Sequence, residues 1–335
     1  MDLTQRKIAF VQLGEKIKSL DEAAKQKLYA DAETYNGWFT KENVAEALQG
    51  ITFMLKPEKL DKWLENYAIE KTDPKKVGLI MAGNLPAVGF HDLLCVLISG
   101  HEAHIKLSSE DQVVPRFIIN LLLVLEPEFS PFIHIRENLK KIDAVIATGS
   151  DNSARYFEYY FSKIPRIIRK NRTSIAILNG NESEAELNAL GKDIFTYFGL
   201  GCRNVSKIFI PSGYDLGNVF EGVFSFGDVI NNRKYANNYD YNRAIYLMNS
   251  EKFLDNNFLM MRETTDLFSP VSVLFYQQYQ NIDQVLDYIN ENAEKLQCIV
   301  TRDPSGNEIK IGETQKPELW NYADNVDTMA FLLQL

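Results

Sequence analysis

Cys202 stands in Gly-Leu-Gly-Cys-Arg-Asn, between a stretch that reads as a helix and Lys-Ile-Phe-Ile-Pro, which reads as a strand. A thiol attacks a carbonyl carbon as its thiolate, and nearby positive charge or helix N-terminal amides favour that form. Arg203 is adjacent, and the flanking glycines let a substrate approach the backbone closely. The same residues also suit an inert thiol beside a surface arginine. The other two cysteines invite less chemistry. Cys95 falls in the apolar helix HDLLCVLISG, and Cys298 alternates with core positions in the strand LQCIVTRD. Three scattered cysteines make neither a disulfide framework nor a metal knuckle, so a reducing cytoplasm is the expected setting. The four histidines are His91, His101, His104 and His134. His101 and His104 lie three apart but flank a strand entry, with no cysteine or carboxylate-rich segment near them, so no metal is expected.

The chain that must position Cys202 has 335 residues, 45% apolar, with a formal charge of −9. That charge disfavours a nucleic-acid partner, which usually meets a basic face. It leaves room for a nucleotide cofactor, which needs only a few local cations. The N-terminus lacks a signal-peptide core, and no uncharged apolar run reaches 18 residues, so no membrane span is expected. Residues 1–70 read as helices, with Asp21 and Thr40 as candidate caps. From Lys75 the pattern becomes strand, helix, strand: VGLIMAG, NLPAVGFHDLLCVLISG, HEAHIKLSS, VVPRFIINLLLVLE, FIHIREN, DAVIATGS and SARYFEYYFSKI. Such alternation marks a parallel sheet with crossover helices, and open sheets of this kind bind cofactors at the carboxyl ends of their strands. A second α/β segment starts near Thr173 with TSIAILNG. It includes SKIFIP, AIYLMN, FLMMRE, VSVLFY and LQCIVTRD as strands. The expected division is 1–172 for helical extension and dinucleotide domain, 173–320 for the domain with the cysteine, and 321–335 as a tail. The basic run RIIRKNR reads as a solvated turn at the junction.

Residues 82–111, AGNLPAVGFHDLLCVLISGHEAHIKLSSED, resemble the first cofactor-binding segment of the aldehyde dehydrogenase superfamily. There a strand ends in Asn before a proline, a helix follows, and the next strand ends in a cofactor-binding Lys. Here these are Asn84, Pro86 and Lys106. IATGSDNSARYF resembles the loop at the dinucleotide phosphates, with Thr148, Gly149 and Ser150. FGLGCRNVSKIFIP resembles the nucleophile segment. DLFSPVSVLFY resembles the segment at the nicotinamide ribose, with Asp266 in place of Glu. Locally each residue has a plainer reading: Asn84 a turn, Lys106 a solvated cation, Ser150 an N-cap, Asp266 a turn cap. Within the superfamily the chain is most similar to acyl-CoA reductases related to LuxC.

The resemblance implies an α/β, aldehyde-dehydrogenase-like fold: a Rossmann-type cofactor domain, an α/β catalytic domain and a helical N-terminal extension. It implies reduction of an acyl-CoA, or another acyl thioester, to an aldehyde through an acyl-Cys202 intermediate, with Asn84 and the Cys202 backbone N–H as oxyanion donors. Aldehyde-oxidising members carry a Glu as hydrolytic base in the strand before the nucleophile. SIAILNG is matched to that strand, and the place falls at Ile177. Three residues after Lys106, where a Glu would hold ribose hydroxyls, stands Ser109. A Ser tolerates a 2′-phosphate, so NADPH is favoured, with NADH possible through the neighbouring Glu110. The alternatives are aldehyde oxidation, acyl-phosphate reduction, or a degenerate relative that binds nucleotide or acyl group without turnover. A homo-oligomer is possible.

Overall fold

The structure is a computed structural model that describes residues 1–69 and 73–335. Four helices come first: α1 (Leu3–Lys18), α2 (Glu22–Tyr35), α3 (Lys41–Met54) and α4 (Pro57–Leu64). Their starts follow local chemistry. Asp2 and Gln5 form a capping box, Asp21 accepts from Ala24 N–H, Thr40 accepts from Asn43 N–H, and Pro57 occupies the first helical position. The stripe Ala9, Phe10, Leu13 and Ile17 on α1 meets Val44, Leu48 and Ile51 of α3 in one core.

Next come β1 (Lys76–Ile80), α5 (Phe90–Ser99), β2 (Glu102–Lys106), α6 (Val113–Leu125), β3 (Ile133–Ile135), β4 (Ala144–Thr148), α7 (Asp151–Tyr160) and β5 (Arg166–Arg169). The five strands form a parallel sheet in the order β3-β2-β1-β4-β5. β1 is central, and chain direction across the sheet reverses between β1 and β4. α5 is buried along nearly its whole length, because the helical extension packs on it as well. That explains its unbroken apolar sequence. β5 corrects the sequence reading of RIIRKNR as a solvated turn. Arg166–Arg169 is an edge strand, and Arg169 turns inward to a buried ion pair with Asp92, while its second amino group donates to Thr328 Oγ1. Paired with Asp92, the Arg169 guanidinium is held above its ordinary pKa, against the effect of burial.

The second run contains β6 (Thr173–Ile177), α8 (Glu184–Phe195), β7 (Val205–Pro211), α9 (Gly217–Gly222), α10 (Arg233–Met248), β8 (Leu254–Asp255), β9 (Met260–Glu263), β10 (Val273–Tyr279), α11 (Ile282–Glu291), β11 (Leu296–Thr301) and β12 (Ile309–Lys310). Its sheet has the order β12-β11-β6-β7-β10-β9-β8, parallel except for β8. AIYLMN, expected as a strand, forms the end of α10, with Asn249 as its C-cap. The helix starts at Asn232, which accepts from Lys234 and Tyr235 N–H. Buried Tyr235, Tyr239, Asn242 and Tyr246 recur at helical spacing, so the apolar residues of AIYLMN extend a helical stripe.

Two compact units result: residues 1–171 with 317–335, and residues 172–316. The returning segment ends in α12 (Thr328–Leu332) and is stitched into the first unit by polar contacts. Trp63 Nε1 donates to Tyr322 OH at 2.7 Å, Tyr67 OH donates to Asp327, and the His91 and His101 rings bond to the Leu319 and Leu332 carbonyls. His91 is thus committed to docking this segment. No helix among the described residues is long and apolar enough to cross a membrane.

Candidate functional site

In the first unit the candidate cofactor residues gather at the carboxyl edge of the sheet. Ile80 of β1 is level with Lys106 of β2 on one side and with Ala147 of β4 on the other. Asn84 follows β1, Lys106 ends β2, and Thr148 ends β4, so these positions surround the place where the strand order reverses. That is where open parallel sheets hold ligands. Asn84, Lys106, Ser109 and Ser150 are exposed, and Thr148 and Gly149 are half-buried. Ser150 caps α7, leaving that helix's first amides pointing out of the sheet edge. A Cβ on Gly149 would meet Ser153 Cβ at 2.9 Å, so only glycine lets the chain turn this tightly into α7.

The Asn84 loop is braced by residues that the sequence reading passed over. Ala87 holds a left-handed backbone (φ 53°), and its N–H donates to buried Asp111 Oδ2 at 2.6 Å. Burial raises the Asp111 carboxyl to about 7. A Cβ on Gly83 would meet Ser108 Oγ at 2.3 Å, so the loop after β1 lies against the segment after β2. The helical extension reaches the same segment: Tyr35 OH donates to the Ser109 carbonyl at 2.9 Å, and Asn36 Nδ2 to that of Glu110 at 3.1 Å.

In the second unit Cys202 lies in the turn that enters β7 and is half-buried, whereas Cys95 and Cys298 are buried. Burial pushes both of those thiols up, Cys95 most strongly. The Cys202 turn is fixed by its backbone. Ser174 Oγ donates to the Cys202 carbonyl at 2.9 Å, and Asn204 Oδ1 accepts from Gly201 N–H at 2.9 Å. Asn204 Nδ2 donates to the carbonyls of Asp193, Ile194 and Thr196. The preceding turn carries strain. Tyr197 (φ 55°) and Phe198 (φ 57°) are consecutive left-handed residues, at a cost of about 1–2 kcal/mol each. Asp193 anchors a further layer: its carboxylate accepts from Gly312 N–H, Thr314 N–H and Thr314 Oγ1, and Arg203 Nε donates to the Thr314 carbonyl. Arg203 is therefore tied to the loop after β12 instead of serving as a surface pair.

Asp266 follows β9, with its side chain exposed. The four consecutive carbonyls of residues 264–267 all accept from side chains. Lys207 Nζ donates to Thr264 O (2.9 Å) and Asp266 O (3.0 Å), Tyr288 OH to Thr265 O (2.9 Å), and Ser206 Oγ to Leu267 O (2.9 Å). Lys207 is fully buried, and burial lowers its ammonium to about 8. A lysine inside the apolar strand KIFIP was the available sequence signal. Within this unit the Cys202 and Asp266 loops are thus fixed to neighbouring residues of β6 and β7: Ser174 holds one, Ser206 and Lys207 the other.

Ile177, at the place that the resemblance matches to the hydrolytic glutamate of aldehyde-oxidising members, packs among apolar side chains. Between Glu158 and Glu182 the sequence has no carboxylate at all. Glu182 itself is occupied, accepting from Asn179 N–H at 2.6 Å and Gly180 N–H at 3.2 Å.

Residues 5–221 match the family model for acyl-CoA reductase (LuxC). A search of curated proteins gave no match. Among solved structures, the chain is similar to the aldehyde dehydrogenase KauB from Pseudomonas aeruginosa, with a TM-score of 0.66, 12% identity, and coverage of 91% of this chain and 73% of that one. An indole-3-acetaldehyde dehydrogenase from P. syringae, in complex with NAD+ and IAA, gives 0.65 at 12% identity, covering 90% and 72%. A Mycobacterium tuberculosis aldehyde dehydrogenase complexed with NAD+ gives 0.61 at 12% identity, covering 90% and 73%. The fold is therefore that of the aldehyde dehydrogenases, carrying a helical N-terminal extension.

Proposed function

We propose a reaction that proceeds from one premise: the chain belongs to the acyl-CoA reductase (LuxC) family. The reaction is reduction of an acyl-CoA, or a related acyl thioester, to an aldehyde with NADPH. The Cys202 thiolate attacks the thioester carbonyl, and the carbonyl electron pair moves onto oxygen. Asn84 Nδ2 and the Cys202 backbone N–H are assigned as donors to that oxyanion; one such donor is worth about 3 kcal/mol in the transition state. The oxyanion collapses, the C–S bond to CoA breaks, and the CoA thiolate leaves with the electron pair. Acyl-Cys202 remains. The nicotinamide, when bound, supplies hydride to the acyl carbon. The same two donors hold the second oxyanion, which collapses to aldehyde and returns the Cys202 thiolate.

The accessibility of Cys202 carries this reading, set against two thiols sealed by burial. The missing carboxylate between Glu158 and Glu182 supports the reductive direction: without a base to activate water, the acyl-enzyme persists for reduction. The cofactor residues fit a dinucleotide. Lys106, Thr148, Gly149 and Ser150, with the first amides of α7, suit its phosphates, Lys106 and Ser109 a ribose 2′-phosphate, and Asp266 the nicotinamide ribose. The neighbours complexed with NAD+ support a nicotinamide cofactor of either kind, so NADH is the competing choice.

The test is incubation with acyl-CoAs of graded length without NADPH, followed by mass spectrometry of the modified residue. Acylation of Cys202 with CoA release, lost in Cys202→Ala, is the expected result. Acylation elsewhere, or none with any acyl-CoA, defeats the reading. Free acid formed from aldehyde and NAD+ would assign the site to oxidation instead.

A further inference from the structure

We propose that Glu102, His104 and His134 form a binding site for one divalent transition-metal cation of the zinc type, at the β2–β3 edge of the first unit's sheet. Glu102 and His104 are two apart on β2 and so share a face. His134 is the register partner of His104 on β3, which brings its ring to the same face, 4.7 Å from the His104 ring centre. His104 Nε2 lies 3.1 Å from Glu102 Oε2, and His134 Nε2 lies 3.8 Å from the same oxygen. The three ligand atoms all fall within 4.8 Å of one another. Tetrahedral zinc, with bonds of about 2.0–2.1 Å, spaces its ligands about 3.3 Å apart. Side-chain shifts of about 1 Å would therefore close the triad around an ion.

Two imidazoles and one carboxylate are a borderline donor set, suited to zinc or cobalt in preference to magnesium or calcium. Glu102 and Arg136 are the charged groups at His134, the first attracting a cation and the second opposing it. The side chains keep 24%, 12% and 25% of their exposure, in sequence order, so solvent can supply a fourth ligand. The triad lies within the strands, not at their carboxyl ends, and its role is structural: it clamps the three-residue edge strand β3 to β2. His101, which the sequence had set beside His104, faces the core between the Lys75 N–H and the Leu332 carbonyl.

The test uses the full chain, stripped with chelator and dialysed. Titration with Zn2+ in a calorimeter should show one equivalent bound, and Zn2+ should raise Tm. Co2+ should give tetrahedral d–d absorption without thiolate charge transfer. His104→Ala and His134→Ala should each weaken uptake by roughly tenfold or more. Glu102→Gln, nearly isosteric, should do the same with an unchanged circular dichroism spectrum, and Cys202→Ala should bind as the parent does. Absence of Zn2+ uptake by the parent, uptake that survives His134→Ala, or a thiolate band lost in Cys202→Ala would overturn the site.

Discussion

The two units arrange their candidate site residues by different physical means. In residues 1–171, topology does most of the work. Parallel strands end level with one another, so Lys106, Thr148 and the start of the Asn84 loop reach one edge as a consequence of register, and Asp111 braces that loop through the Ala87 N–H. In residues 172–316, Cys202 and Asp266 sit on irregular turns that no strand end dictates. There polar side chains, buried Asn204, Asp193 and Lys207 and half-buried Ser206, hold main-chain carbonyls and N–H groups in place. Register is cooperative and tolerates single substitutions. A braced turn depends on individual side chains, and removing one strands several buried partners at once. Sites of the second kind should therefore fail more abruptly.

Asn84→Ala marks the largest expected effect on the topological side. It removes the proposed oxyanion donor, so kcat should fall by roughly 100-fold. An unchanged kcat would remove Asn84 from the proposed oxyanion site. Asn204→Ala should cost about 2 kcal/mol of stability by chemical denaturation and slow Cys202 acylation more than roughly tenfold, while NADPH binding stays intact. An unaffected acylation rate would break the comparison. Lys207→Met should raise the KM for NADPH by roughly tenfold and leave Cys202 labelling by a thiol reagent at the parent rate, because its carbonyl partners lie in the Asp266 loop. Equal damage to labelling would mean that the two loops behave as one body.

A further test of the first unit's bracing is a pH dependence. Asp111 has a folded pKa of about 7, above its ordinary value of 3.8. Between these values the native carboxyl keeps a proton that the unfolded chain has released. Its stabilising contribution is therefore full below pH 3.8 and lost as pH rises to 7. The stability of the parent minus that of Asp111→Asn should fall across this window and be flat above it. A flat difference throughout would show that Asp111 is ionised in the native state.

Much of the first unit was legible in the sequence because its signals are local. Asp21 and Thr40 cap helices through their own side chains, and VGLIMAG and DAVIATGS are short apolar runs that only buried parallel strands accommodate. Misreadings arose where a distant partner decides. Arg169 looked solvated because Asp92, its partner, is 77 positions away. AIYLMN looked like a strand because its short apolar run hides the tyrosines that set the helical period upstream. Asn204 and Lys207 went unread because an amide or an ammonium beside a strand says nothing about which carbonyls it will meet.

The segment that returns to the first unit has a consequence for how the chain is made. Trp63, His91 and His101 wait for acceptors that are translated more than 200 positions later. Residues 1–171 emerging from a ribosome would hold an open core, with α5 uncovered on one side, until residues 317–335 arrive. The intervening 145 residues have all their own strands and can condense first, so biosynthesis would reverse the N-to-C order in which domains usually mature.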